Sequence, residues 1–164
     1  MADSTGCIAA SARTDRSGRV LRRRVLVTFV LGASLGAGIA AAQAATAVSG
    51  VYSFNVGGVP YHNEAVVEAP VGNGQALAEV AIGVNSGVVP TGTVGVRPIL
   101  YNGSGSVCVA APYYYYNPNP TSSYGRSIQG SCGKGIYFAG GTTEVWIGNS
   151  YEPQGVPNTP LVNN

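Results

Sequence analysis

Catalytic residue types are scarce beyond residue 44 of this chain. Residues 45–164 contain no aspartate, and their single histidine is His62. A Ser-His-acid triad would need this histidine together with a glutamate, and no serine lies in a strand-to-helix nucleophile turn. No phosphate-binding loop is visible either, since the many glycines lie in turns between strands rather than before a helix. The sequence therefore predicts a protein that is not an enzyme and has no cofactor.

The few glutamates are spaced unsuitably for a metal ion or for sugar hydrolysis. His62, Glu64 and Glu68 form the one local set of possible ligands. On one strand such residues lie about 6.6 Å apart per two positions, which is too spread for one ion that takes about three protein ligands. Glu64 and Glu68 lie ~13 Å apart, beyond the ~5–9.5 Å of a glycosidase pair. We expect no metal site, although a pair across strands, such as Glu79 with Glu144, stays open.

Basic residues are also few. In residues 45–164 three cations face five glutamates, which gives a net charge of −2; the cations are Arg97, Arg126 and Lys134. Binding to nucleic acid depends on neutralising phosphates, and binding to an anionic membrane depends on basic clusters. We therefore expect neither nucleic acid nor a membrane surface as a partner.

An apolar run near the N-terminus defines the part of the chain that folds. Residues 25–44, VLVTFVLGASLGAGIAAAQA, follow three arginines and end in the small-x-small sequence Ala42-Gln43-Ala44. This pattern predicts a signal peptide over residues 1–44, cleavage after Ala44 and a secreted, extracellular protein. A membrane anchor and twin-arginine export are the alternatives. The high glycine and alanine content and the cleavage site favour ordinary secretion.

Two cysteines remain after this cleavage. Cys7 lies in the leader, which leaves Cys108 and Cys132, an even number in an exported chain. We predict a disulfide between them rather than free thiols or a metal pair. A bond that closes about 25 residues stabilises a domain by roughly 3.5 kcal/mol through the entropy of the unfolded chain.

The remaining sequence is dominated by strand and turn patterns. Apolar residues alternate with polar ones in short segments, and the pair Gly57-Gly58 predicts a two-residue hairpin turn. Pro98 predicts an edge or a bulge, and segment 75–84 also has helix-forming residues. The predicted strands are 51–56, 61–69, 75–84, 93–101, 107–109, 126–132, 136–139 and 142–148.

These seven or eight short strands predict an all-β fold. Their regular turns indicate an antiparallel β-sandwich or a small barrel, formed by residues 45–149 as one secreted domain. Residues 150–164 contain three prolines and are predicted to form an extended, loosely held C-terminal tail.

Aromatic residues are concentrated in one unusual segment. Tyr113, Tyr114, Tyr115 and Tyr116 are consecutive and precede the sequence Asn-Pro-Asn-Pro. At least two of these rings must face outward, because successive side chains of a strand alternate. Tyrosine is enriched in binding surfaces, and an outward Trp146 would extend such a surface. We predict that these five residues form the main binding site, with rings that cover the core as the alternative.

The layout of residues 45–164 resembles that of the small secreted β-domain proteins of actinomycetes. The shared features are one cysteine pair, glycine-bounded strands and a loop rich in Tyr, Asn and Pro. This group includes the adaptor subunits of umbrella-shaped toxin particles, which join a repeat-bearing toxin chain to lectin-like subunits. The resemblance implies a structural or adaptor role and transfers no functional residue.

Three functions follow as expectations. The first is an adaptor that binds other secreted proteins, favoured by the tyrosines, the tail and the missing active site. The second is a carbohydrate-binding, lectin-like module, since aromatic faces also stack on sugar rings. The third is an inhibitor of a secreted enzyme that uses an exposed loop such as Asn85 to Thr91.

Overall fold

The computed structural model describes residues 44–164, which form two facing antiparallel sheets. The strands are β1 (Ala45–Val48), β2 (Tyr52–Val56), β3 (Val59–Val71), β4 (Gln75–Val84), β5 (Val94–Asn102), β6 (Val107–Ala110), β7 (Tyr115–Tyr116), β8 (Ser123–Gly130), β9 (Ile136–Trp146), β10 (Tyr151–Val156) and β11 (Val162–Asn163). A short 3₁₀ turn, Gly72–Gly74, joins β3 to β4. The predicted all-β class is confirmed, and of the two predicted architectures the sandwich is observed.

The first sheet has the order β1-β3-β4-β8, with β2 also paired to β3, and the second has the order β10-β9-β5-β6, with β7 on β5 and β11 on β9. The described residues thus form more strands than the seven or eight predicted.

The segments predicted as 136–139 and 142–148 are one strand, because the pairs Ile99–Gly140 and Pro98–Gly141 continue the ladder. A β-carbon at Gly141 would lie 2.3 Å from the Arg97 carbonyl oxygen, so only glycine fits there.

The hairpin between β2 and β3 forms where the glycine pair predicts it. Gly57 and Gly58 both have positive φ, 59° and 82°, and the ladder closes directly on either side at Val56 and Val59. Two positive φ values in a two-residue loop match the right-handed twist of the flanking strands. The turn therefore fixes the register of this edge of the first sheet.

The core lies between the sheets and follows the predicted alternation. In β4 the alternate positions that begin at Ala76 are buried, so this segment is a strand rather than a helix. Opposite lie buried residues of β5 and β9, such as Val96, Leu100 and Val145. One polar bridge crosses this core: the Asn63 Nδ2 donates to Thr143 Oγ1 at 2.9 Å. It links the inner faces of β3 and β9.

Pro98 lies in a central strand, between β9 on one side and β6 and β7 on the other. Its carbonyl accepts a hydrogen bond from the Ala111 N–H at 3.0 Å, just beyond the end of β6. In an antiparallel strand the N–H and C=O of one residue point to the same side. The Pro98 nitrogen, which has no hydrogen to donate, therefore faces the gap between β6 and β7. The predicted bulge lies two to three residues later, between Leu100 and Tyr101.

Cys108 and Cys132 form the predicted disulfide, with their α-carbons 5.4 Å apart. Cys108 belongs to β6 of the second sheet, and Cys132 follows β8 of the first. The bond therefore ties together two edges that belong to different sheets. A disulfide is typical of oxidising, extracellular environments.

The C-terminal segment departs from the prediction of a loosely held tail at 150–164. Tyr151 to Val156 pairs with β9 over six residues, and β11 pairs with the start of β9. The Trp146 N–H donates to the carbonyl of Thr93, the residue before β5. The residue paired with Trp146, Tyr151, therefore directs its own N–H away from β9. By alternation Pro153 also directs its nitrogen outward, where no donor is needed. Proline therefore does not keep this segment out of the sheet.

The predicted signal peptide, and with it the alternative of a membrane anchor at 25–44, lies outside the described residues, apart from Ala44. Within residues 44–164 no helix has the length and apolar character to cross a membrane.

Candidate functional site

The four consecutive tyrosines divide between the two faces of the second sheet. Tyr115 packs against the core, and its ring is met edge-on by Tyr113 at a centroid distance of 5.1 Å. Tyr113 is 62% exposed, and Tyr116 is 39% exposed on the opposite side. Strand β7 pairs Tyr115 and Tyr116 with Val96 and Gly95 of β5.

Tyr114 and Tyr116 lie across β5 and reach the next strand. The Tyr114 hydroxyl is 2.8 Å from Thr142 Oγ1, and the Tyr116 hydroxyl donates to Glu144 Oε1 at 2.5 Å. Gly95 lies between Tyr116 and Glu144 in the ladder, and a β-carbon there would be 2.9 Å from the Tyr116 ring. Because Gly95 has no side chain, the Tyr116 ring can lie across β5 at this position. The two hydrogen bonds fix the hydroxyls of Tyr114 and Tyr116.

Asn117 anchors the end of the tyrosine segment. Its side chain is buried, its Oδ1 accepts from the Val94 N–H at 3.0 Å, and its Nδ2 donates to the carbonyls of Pro90 and Asn119. These bonds join the loop after β7 to the loop before β5. This role of Asn117 was not predicted, although an asparagine directly before a proline is a residue that often organises turns through its side chain.

Trp146 is 42% exposed at the end of β9 and packs on Tyr151, with ring centroids 5.0 Å apart. Tyr151 in turn packs on Tyr116 at 4.8 Å. We call Tyr116, Trp146 and Tyr151 the aromatic cluster. Tyr151 was missed because it was placed in the tail; the turn residues 148–150 after the Trp146 strand were the signal for a hairpin.

A groove of ≈ 420 Å³ lies beside the aromatic cluster. Its walls are Thr91, Gly92, Thr93, Trp146 and Tyr151. The Tyr151 hydroxyl donates to the Gly92 carbonyl at 2.7 Å and holds the ring against the loop before β5. This size falls within the range of ~300–1,000 Å³ that is common for ligand sites.

Glu144 supplies negative charge at this site. It is 8% exposed, on the outer face of β9 two residues before Trp146. Burial raises the pKa of the Tyr116 phenol above its ordinary value, and the hydrogen bond to Glu144 and its charge raise it further. Burial and the charge of Glu144 also raise the pKa of Tyr151. Both phenols are therefore neutral donors at neutral pH.

Other polar candidates from the sequence do not converge. Nδ1 of His62 lies 2.7 Å from the Asn85 side-chain oxygen, and no cluster of three possible metal ligands occurs in residues 44–164. Glu79 flanks the buried Ala78 and Val80 of β4, so it lies on the outer face of the first sheet, whereas Glu144 lies on the outer face of the second. The pair of glutamates across strands that the sequence left open is not formed.

What converges at this end of the second sheet is a set of rings, hydroxyls and one carboxylate. An exposed ring that is held by the backbone at one end and by a hydrogen-bonded hydroxyl at the other can bind a ligand without a large loss of side-chain entropy. The predicted site residues Tyr114, Tyr116 and Trp146 share this face, whereas Tyr115 faces the core. No protein-family model matches this chain, and no curated protein sequence matches it significantly.

Proposed function

We propose that this protein is a secreted, non-enzymatic domain that binds another extracellular protein, as an adaptor or structural subunit. The observation that carries the proposal is the aromatic cluster, which is exposed on the outer face of the second sheet. Interfaces are typically anchored by a few tyrosine, tryptophan and arginine residues, each worth about 2 kcal/mol or more on truncation.

The fixation of the rings supports a binding role over a purely structural one. Tyr116 and Tyr151 each have a hydrogen-bonded hydroxyl, yet Tyr116 still exposes more than a third of its surface. Trp146 and Tyr113 are more exposed still. Rings that served only the core would be covered, whereas exposed aromatic patches usually mark interaction sites.

Export is the second part of the proposal. The Cys108–Cys132 disulfide supports it, because such bonds persist in oxidising compartments. We expect the mature chain to start at Ala45, where β1 begins. Mass spectrometry of the culture medium tests this, and detection of the uncleaved precursor in the membrane fraction alone would exclude it.

A carbohydrate ligand is the second candidate, favoured by the groove beside Trp146. Its threonine hydroxyls and the Gly92 carbonyl are suited to sugar hydroxyls, and the indole offers a stacking surface. An inhibitor role would use the loop from Asn85, where residues 85–88 are exposed. Both alternatives are separated from the adaptor by the same capture experiment.

The experiment is affinity capture from culture medium with the tagged mature protein. Under the adaptor proposal a protein complex is recovered, and the double variant Tyr113→Ser/Trp146→Ala weakens it at least about tenfold. Tyr52→Ser is the matched control, because Tyr52 is 46% exposed but belongs to the first sheet. The melting temperatures of both variants should stay close to that of the wild type.

The other outcomes discriminate between the candidates. Retention on a polysaccharide without a protein partner supports the lectin-like module, and recovery of a single hydrolase supports the inhibitor. A complex that survives the double variant unchanged would exclude the aromatic cluster as its interface.

A further inference from the structure

Among residues 44–164, Glu144 has no positively charged partner at the aromatic cluster. The one hydrogen bond to its side chain within residues 44–164 comes from the neutral Tyr116 hydroxyl. The Arg97 Nε donates instead to the Ala111 carbonyl, and the Arg126 Nε to the Tyr124 hydroxyl. Lys134 lies in the turn before β9, at the other end of that strand. The carboxylate is therefore left to attract a cation from outside the described chain.

The surroundings of this carboxylate also favour positive charge. The faces of aromatic rings carry negative electrostatic potential, and tryptophan attracts cations most strongly. The groove beside Trp146 and Tyr151 is lined by hydroxyls and by the Gly92 carbonyl, all of which can accept hydrogen bonds. No basic residue of the described part of the chain lines it. The charge of Glu144 reaches Tyr151, since it contributes to the raised pKa of that phenol. Glu144 does not line the groove itself, but it lies two residues before Trp146 on the same face of β9, so its negative charge acts on the groove from the adjacent position.

We propose that the groove beside Trp146 binds an arginine side chain of the partner protein, stacked on the indole and attracted by the Glu144 carboxylate. This inference rests on the proposed protein-binding function and specifies the chemistry of the partner. A guanidinium is planar and carries five donors, so it can stack on a ring while it bonds to several acceptors. A lysine ammonium is a compact, strongly hydrated charge and would use fewer of these features. A neutral sugar would gain little from the unpaired charge.

Trp146 makes this proposal directly measurable, because it is the single tryptophan of the chain. The mature protein is titrated with the peptide Gly-Ser-Arg-Ser-Gly while tryptophan fluorescence is recorded. The control peptide carries citrulline in place of arginine, which keeps the shape and removes the charge. We expect a saturable change with the arginine peptide and at least about fivefold weaker binding of the citrulline peptide.

The protein variant that tests the carboxylate is Glu144→Gln. Its side-chain oxygen can still accept the Tyr116 hydrogen bond, so the variant is expected to fold. It should bind the arginine peptide about fivefold more weakly and bind the citrulline peptide as the wild type does. Glu68→Gln is the matched control, because it removes the same charge from the first sheet and should leave binding unchanged.

The results separate this inference from the proposed function. Equal binding of the two peptides, or unchanged arginine binding in Glu144→Gln, would overturn the arginine site. If the partner complex is then still lost in the Tyr113→Ser/Trp146→Ala variant, the binding function stands without an arginine anchor. If the complex survives that variant, the aromatic cluster is not its interface and the arginine site has no role in it. If no protein complex is captured at all, the proposed function fails whatever the peptides do.

Discussion

Replacement of Gly95 by alanine tests whether the Tyr116 ring is held across β5. A β-carbon at Gly95 would lie 2.9 Å from Cε1 of Tyr116 and 3.1 Å from Cγ of Glu144. Contacts this short require the ring to move, and the 2.5 Å hydrogen bond to Glu144 would then lengthen or break. The structure thus predicts that even the methyl group of an alanine at position 95 displaces the Tyr116 ring and weakens its hydrogen bond to Glu144.

The expected loss of stability follows from two opposing effects. A hydrogen bond to a charged group contributes about 1.5–3 kcal/mol, whereas the change from glycine to alanine stabilises by about 0.4–1 kcal/mol through the unfolded chain. We therefore expect Gly95→Ala to lower the free energy of unfolding by about 1–2 kcal/mol. For a domain of this size that corresponds to a melting temperature lower by roughly 4–8 °C.

A double-mutant cycle isolates the cause. In a Tyr116→Ser background the ring is absent, so Gly95→Ala should be neutral or slightly stabilising. Urea unfolding followed by circular dichroism measures all four variants. An equal loss with and without the Tyr116 ring, or no loss in either background, would refute the proposed packing of this ring on Gly95.

Two further predictions concern the disulfide and alkaline pH. The double variant Cys108→Ser/Cys132→Ser should lower the free energy of unfolding by about 3.5 kcal/mol, and two reactive thiols in unreduced, denatured wild type would contradict the bond. Burial and Glu144 raise the pKa of Tyr116 in the folded state, so the unfolded state loses its proton first as the pH rises. Stability should therefore fall above about pH 10, and less steeply in Tyr116→Phe; parallel urea midpoints between pH 8 and 11 would disagree.

The local parts of this fold can be predicted from sequence because their determinants are local. The alternation in β4 and the glycines at 57–58 fix a buried face and a turn through neighbouring residues alone. The disulfide was also predictable, since residues 45–164 contain only two cysteines. In these cases the physical cause lies within a few residues or within the composition.

The predictions that failed concern features that depend on residues far apart in the sequence. The prolines near the C-terminus suggested a loose tail, and nothing local reveals that the nitrogen of Pro153 faces the outer edge of the sheet. For the same reason Tyr151, which completes the aromatic cluster, was not predicted as a site residue. Strand alternation placed Tyr114 and Tyr116 on one face, but their bonds to Thr142 and Glu144 required the strand order, which the sequence left open.

The first strand begins and the last strand ends near one end of the sandwich, whereas the aromatic cluster lies near the opposite end. The Asn164 N–H bonds to the Gly135 carbonyl and its side chain to that of Gly74, while β1 starts opposite Ala69, close to the same turn. Trp146 lies at the far end of β9, roughly 30 Å away along the strand. A domain fused directly before Ala45 or after Asn164 would therefore emerge at the end of the sandwich opposite Trp146 and would leave the aromatic cluster uncovered.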